Sequence, residues 1–238
     1  MTRLPGALDV EDSREPVPWG GIDVAILVYL WLCCQMLSVA LAAKPMSVGD
    51  SLVGGAIAMA SATSLGLAYL LRRGASWRAL GLSFSDLFAH VRLGAMACAV
   101  AIVPLLGCAG LLDRLVPYRH PIIDFLLEHR SPLAILAVGL AAVVVAPVAE
   151  EFFFRRVLQG WLEKVWGAWP AILASAVIFG LAHFGHGLGW IPLMGFGVVA
   201  GYLVRQTGSI LPAIVLHAIF NATSLSLVIW QTTPAPAP

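Results

Sequence analysis

Charge is what this sequence has least of. Asp, Glu, Lys and Arg together make up 11% of its 238 residues, where an ordinary soluble domain carries about 25%. Hydrophobic residues make up 60%, and the mean hydropathy is +0.89. A chain of this length cannot cover a water-soluble globule with so little polar surface, so the composition implies a polytopic membrane protein. The formal net charge of +1 gives no electrostatic reason to expect nucleic acid or an acidic partner. Lysine is nearly absent, with Lys44 and Lys164 set against twelve arginines. This bias and the alanine-rich apolar usage suggest a bacterial source, and hence a bacterial cytoplasmic membrane. Cysteine is scarce and badly spaced for metal or disulfide work. Cys33, Cys34, Cys98 and Cys108 all lie in apolar runs without a C-x-x-C pair, which suits small hydrophobes in helix packing. The first nineteen residues lack the basic-then-apolar order of a cleavable signal, so insertion is expected to rely on the first span.

Long apolar runs are abundant. A helix needs about twenty apolar residues to cross a bilayer, and seven candidate spans follow: 22–43, 51–71, 93–112, 132–164, 169–184, 188–204 and 209–230. The expected fold is all-α, a polytopic membrane bundle of about seven transmembrane helices. The stretch 74–90 is too polar to span and reads as an amphipathic interfacial helix, and 113–131 as an external loop with a short helix. The chain then divides into a cytoplasmic tail (1–19), an N-terminal membrane region (20–131), a membrane core carrying the chemistry (132–231) and a short C-terminal tail (232–238). With the N-terminus inside, the cytoplasmic side collects Arg3, Arg14, Arg72, Arg73, Arg78, Arg92, Arg155, Arg156, Lys164 and Arg205. The other side holds Lys44, Arg114, Arg119 and Arg130. The excess of basic residues favours the N-in arrangement.

A few polar residues remain inside the spans, where each is expensive and therefore a functional candidate: Glu150, Glu151, Arg155, Arg156, His183, His186, His217 and Asn221. Glu150 lies 14 residues before Lys164 and His183 lies 14 residues after Trp169. At 1.5 Å per residue both are about 21 Å from the turn that joins their helices. Asn221 lies 14 residues after Thr207, and His217 precedes it by four on the same helix face. Three helices thus bring four polar groups to one level. Of the two adjacent acids, Glu151 has Arg155 four residues on, in the favourable order for an ion pair. Glu150 is turned about 140° away from that arginine and is left for general acid–base work. Glu151 with Arg155 fits a structural lock as well as a functional role. His186, in "HFGHGLGW", reads as a loop histidine. The run Phe152–Phe154 and Phe179 read as packing, and Gly195, Gly197 and Gly201 as points of close helix approach.

No serine or cysteine accompanies this layer, and the sequence contains no H-E-x-x-H, no G-x-S-x-G and no pair of intramembrane aspartates. A water activated by Glu150 with help from His183 could attack a carbonyl, and His217 and Asn221 could stabilise the oxyanion. That is peptide-bond hydrolysis within the membrane. Proton-coupled transport would use similar buried groups.

The segments "EEFFFR" (150–155), "FGLAH" (179–183) and "HAIFN" (217–221), with the lead-in "TGSILPAIVLH", resemble the motifs of the CAAX prenyl protease and bacteriocin-processing family of intramembrane endopeptidases. The resemblance covers about residues 132–230. It implies Glu150 as the water-activating base with His183 as its partner, and His217 and Asn221 as the oxyanion site. Glu151, Arg155 and Phe179 would be supporting motif residues. Arg156 stands where members often have glycine. The resemblance also implies a peptide or membrane-protein substrate, free or lipid-attached, and contact with membrane lipid, but no nucleic acid. The constellation requires no cofactor, although zinc or another divalent ion held by Glu150, His183 and His217 is an alternative. A non-catalytic immunity or partner-binding role within the same family is the competing function.

Overall fold

A bilayer offers no partner for backbone amides, so a chain this apolar must satisfy them internally as helix. The computed structural model describes residues 15–42, 47–82, 86–185 and 187–232. Within these residues every element is helical. Eight helices follow one another: α1 (Gly21–Leu41), α2 (Val48–Arg72), α3 (Leu87–Leu115), α4 (Pro121–Glu128), α5 (Pro132–Trp166), α6 (Ala168–Ala182), α7 (Trp190–Thr207) and α8 (Leu211–Thr232). Among the described residues, α1, α2, α3, α5 and α8 are long and apolar enough to cross a membrane. Their outward faces are greasy: Ile22, Tyr29, Val100, Val103 and Leu133 are at least 70% exposed. Such a surface fits lipid and not water.

Seven spans were expected, and the two that fall short are α6 and α7. Helix α6 has only 15 residues, a rise of about 22 Å, and α7 is a continuous 18-residue helix that carries three glycines and ends in Arg205, Gln206 and Thr207. These two helices pack closely against each other. A Cβ added to Gly197 would lie 2.9 Å from Ala176, and one added to Gly201 would strike the Gln159 side chain. Helix α6 falls short in length and α7, at 18 residues, in apolar character, and close packing against a neighbour relaxes both demands. Helix α8 crosses α3 at Gly94, where any Cβ would run into the Pro212 carbonyl.

The stretch 74–90 is not one amphipathic helix. Residues 73–82 form turns, with Gly74 and Gly81 at φ 88° and 71°, a left-handed region that other residues avoid. Helix α3 then starts at Leu87, earlier than its apolar run suggests. The turns are drawn into the bundle. Ala79 and Leu80 are fully buried, and the Gly81 carbonyl accepts from Ile210 N at 3.0 Å and Ser209 Oγ at 3.2 Å. The segment between α3 and α5 does contain a short helix, α4, opened by Pro121 with His120 Nδ1 accepting from Ile122 N. His186 and the tails 1–14 and 233–238 lie outside the described residues.

Helix α5 is not a regular helix. It widens into π-helical turns twice, at Leu140–Val145 and at Glu151–Gln159, with a short α segment, Ala146–Glu150, between them. Side chains of other elements fasten on carbonyls of both wide segments. Asn221 Nδ2 donates to Ala142 O at 2.8 Å, Ser175 Oγ to Phe154 O at 2.8 Å, and Trp19 Nε1 to Val157 O at 3.0 Å. Wide turns of this kind concentrate at functional sites, and here they flank the two glutamates.

Candidate active site

Glu150 closes the short α segment of α5 and Glu151 opens the second wide segment. Both are buried, with Glu151 fully so. Glu151 makes the expected bond to Arg155, with Nε donating to Oε2 at 3.0 Å. Its other oxygen does something the sequence did not announce. Oε1 accepts from His217 Nδ1 at 2.8 Å, so Glu151 belongs to the polar layer as well as to the helix lock. Arg155 is fully buried between these groups, so it does not add to the basic face of the bundle. Its Nη1 donates to Ser175 Oγ at 3.2 Å, and its guanidinium lies over the Phe179 ring, 4.7 Å from the centroid.

His183 caps the C-terminus of α6, where the helix ends and the side chain is partly open, 24% exposed. Its Nδ1 faces the Phe179 carbonyl at 2.9 Å. A carbonyl only accepts, so this nitrogen carries the proton. The same logic applies to His217, whose Nδ1 faces a carboxylate. Both imidazoles are therefore fixed in tautomer, and both direct Nε2 at one atom. His183 Nε2 lies 4.0 Å and His217 Nε2 3.9 Å from Glu150 Oε2. That oxygen is buried and has no hydrogen-bond partner among the described residues.

Aromatic rings pack around this cluster. Phe179 contacts the rings of His183 and His217 at centroid distances of 4.9 and 6.0 Å, and Phe196 stands 4.9 Å from His217. The rings exclude water on those sides and limit how far the imidazoles can tilt. Three of the four expected groups, Glu150, His183 and His217, converge. Asn221 lies on the same face of α8 but donates to the Ala142 carbonyl, so one of its two N–H groups is committed to the backbone of α5. Ser175 and Phe196 escaped the sequence reading. Ser175 had a usable signal, because it precedes Phe179 by four residues on the same face of α6. Phe196 had none beyond its apolar character.

The set fits a metal poorly. Two ligands on tetrahedral zinc at about 2.0–2.1 Å sit roughly 3.3 Å apart, less than the 3.9 and 4.0 Å found between each Nε2 and Glu150 Oε2. Among the described residues, no group of three or more His, Cys, Asp or Glu side chains is arranged to hold an ion. The possible zinc set of Glu150, His183 and His217 thus gains no support.

Against known proteins, residues 132–223 match one family model, described as Rce1-like: type II CAAX prenyl endopeptidase Rce1-like. No curated protein and no solved structure matches the chain.

Proposed function

We propose, for a chain whose residues 132–223 belong to the Rce1-like type II CAAX prenyl endopeptidase family, that the layer of Glu150, His183 and His217 hydrolyses a peptide bond within the membrane. The observation that carries this reading is the bare Glu150 Oε2, faced by two Nε2 atoms whose rings are fixed from behind. A separation near 4 Å is too long for a direct bond, and a small outward movement of either ring admits a water shared between acid and imidazole. Glu150 takes a proton from that water as its oxygen attacks the substrate carbonyl, and later passes the proton to the departing amine. His183 orients the water. As an imidazolium whose Nδ1–H is held by Glu151, His217 donates from Nε2 to the oxyanion, and the second N–H of Asn221 assists.

The substrate is a membrane-associated or lipid-attached peptide. What supports this is an apolar groove of about 380 Å³ lined by Trp31, Gln35, Phe153, Phe154, Ile178 and Ala182. Ala182 in its wall directly precedes His183 in the chain, and the groove would receive an alkyl chain. We assign the basic end of the bundle to the cytoplasm, which puts the N-terminus inside.

The test is turnover of a fluorogenic peptide panel by detergent-purified protein. Wild type should cleave with or without chelator, and Glu150→Gln and His183→Ala should not. Equal turnover by wild type and Glu150→Gln would overturn the mechanism, and loss of turnover on chelation alone would restore the metal. An immunity or partner-binding role would survive both substitutions.

A further inference from the structure

Arg156 takes no part in the polar layer, although it adjoins Arg155. Its guanidinium turns toward the basic end of the bundle, where the residue is only 5% exposed. There Nε donates to the Ala79 carbonyl and Nη2 to that of Glu15 at 3.4 Å. Arg156 forms one wall of a cavity of about 260 Å³, and Lys164 and Arg205 form two others, with Glu15 and Glu163 between them. Lys164 Nζ donates to the carbonyls of Val17 and Trp19 at 3.0 and 2.8 Å. These acceptors are neutral, so they aim the ammonium without cancelling its charge. Arg205 Nη1 lies 3.9 Å from Glu163 Oε2, and Glu15 is held by Ser76 Oγ. Three cations and two carboxylates thus meet from the segment before α1, from α5 and from α7.

Small residues keep the cavity open: Gly160, Gly167 and Ala168 line it without filling it. Its depth is marked by its neighbours. Trp166 and Trp169, on either side of that small-residue wall, are 56% and 58% exposed. Exposed tryptophans at the ends of apolar helices sit at the level of the lipid headgroups. The cavity therefore opens where phosphates lie, and basic pockets between membrane helices at that depth suit anionic headgroups.

We propose that this cavity, built on Arg156, Lys164 and Arg205, binds the phosphate of an anionic phospholipid headgroup. Among the described residues its walls carry three positive and two negative side chains, and the three cations attract a phosphodiester. The arginine forks present paired donors to phosphate oxygens and Lys164 adds a point charge. Nothing in this assignment depends on hydrolysis at Glu150.

The experiment uses the full chain in zwitterionic nanodiscs, with retention of added phosphatidylglycerol or phosphatidylcholine read by native mass spectrometry and by thermal shift. Wild type should retain phosphatidylglycerol preferentially, and Lys164→Gln and Arg205→Gln should each weaken that preference about fivefold, the equivalent of one surface cation. Arg156 is buried and ties α5 to the Ala79 carbonyl, so the two more open cations carry the test. Equal retention of both lipids by wild type, or a preference unchanged in the two variants, would overturn the proposal. So would thermal stabilisation by inorganic phosphate equal to that by phosphatidylglycerol, which would make the ligand a free anion.

Discussion

The two halves of this molecule handle polarity in opposite ways. Helices α1 to α3 keep their ionic contact at an end of the helices. Asp23, in the first turn of α1, accepts from Gly20 N at 2.9 Å, Tyr69 Oη at 2.7 Å and Arg73 Nε at 3.2 Å, with Arg73 62% exposed. Helices α5 to α8 carry theirs in the interior, where Glu151, Arg155 and His217 have almost no access to solvent. The first arrangement lets water or headgroups compensate whatever the protein leaves unmatched. The second has no such reserve, so each buried group needs a partner and each partner a fixed place. The wide turns of α5 and the ring of aromatics around Phe179 supply those places. A bundle of apolar helices needs only shape to assemble, whereas the inner layer of the C-terminal half has to be assembled group by group.

Replacing one charge at a time tests that contrast. The largest effect is expected at Glu150, where Glu150→Gln should lower turnover by about 10²–10⁴-fold, while thermal unfolding in detergent stays close to wild type. Removing Glu151 should instead unfold. Glu151→Ala strands Arg155 and His217, and loss of one member of a buried pair costs about 3–5 kcal/mol, visible as reduced accumulation in the membrane and a lower unfolding temperature. Ser175→Ala deprives the Phe154 carbonyl and Arg155 of one hydroxyl, and interhelical bonds of this kind in membranes are worth about 0.6–1.7 kcal/mol. Turnover should fall with it if Arg155 holds Glu151 and His217 in line. The smallest change belongs to the N-terminal half: Asp23→Asn keeps the backbone cap and the tyrosine contact and weakens an ion pair whose arginine is exposed, for about 0–1 kcal/mol. If Asp23→Asn destabilised the protein as much as Glu151→Ala, the distinction between the halves would fail.

Much of the inner layer was legible because helix rise is rigid. Counting from the turn between α5 and α6 puts Glu150 and His183 at one height, and the structure brings them together. The Glu151–Arg155 pair follows from the same regularity. The contact of Glu151 with His217 was not legible, because neighbours on a regular helix point about 100° apart and nothing in "EFFFRRVLQ" signals a wide turn. The destination of Asn221 was hidden for the same reason, since Ala142 looks like any alanine in an apolar run. The interfacial helix expected over 74–90 failed on two glycines, Gly74 and Gly81, whose backbone choice outweighs the amphipathic pattern. Of the seven expected spans, five are long and apolar enough to cross a membrane among the described residues; α6 and α7 do not meet that measure and are marked instead by close packing against each other.

The wide turns of α5 have a consequence for which changes of chain length this protein tolerates. A π turn holds a residue more than an α turn. Deleting a single residue from Leu140–Val145 would let the helix relax to the narrower form without shortening it much. Everything after the deletion would stay nearly in phase with what precedes it, because the narrower turn completes the same rotation with one residue fewer, so Glu150 would still face the two histidines. The same deletion from the regular stretch Pro132–Gly139 would instead turn everything after it by about 100°. Insertion and accumulation would survive both changes, and only the second would pull the polar layer apart.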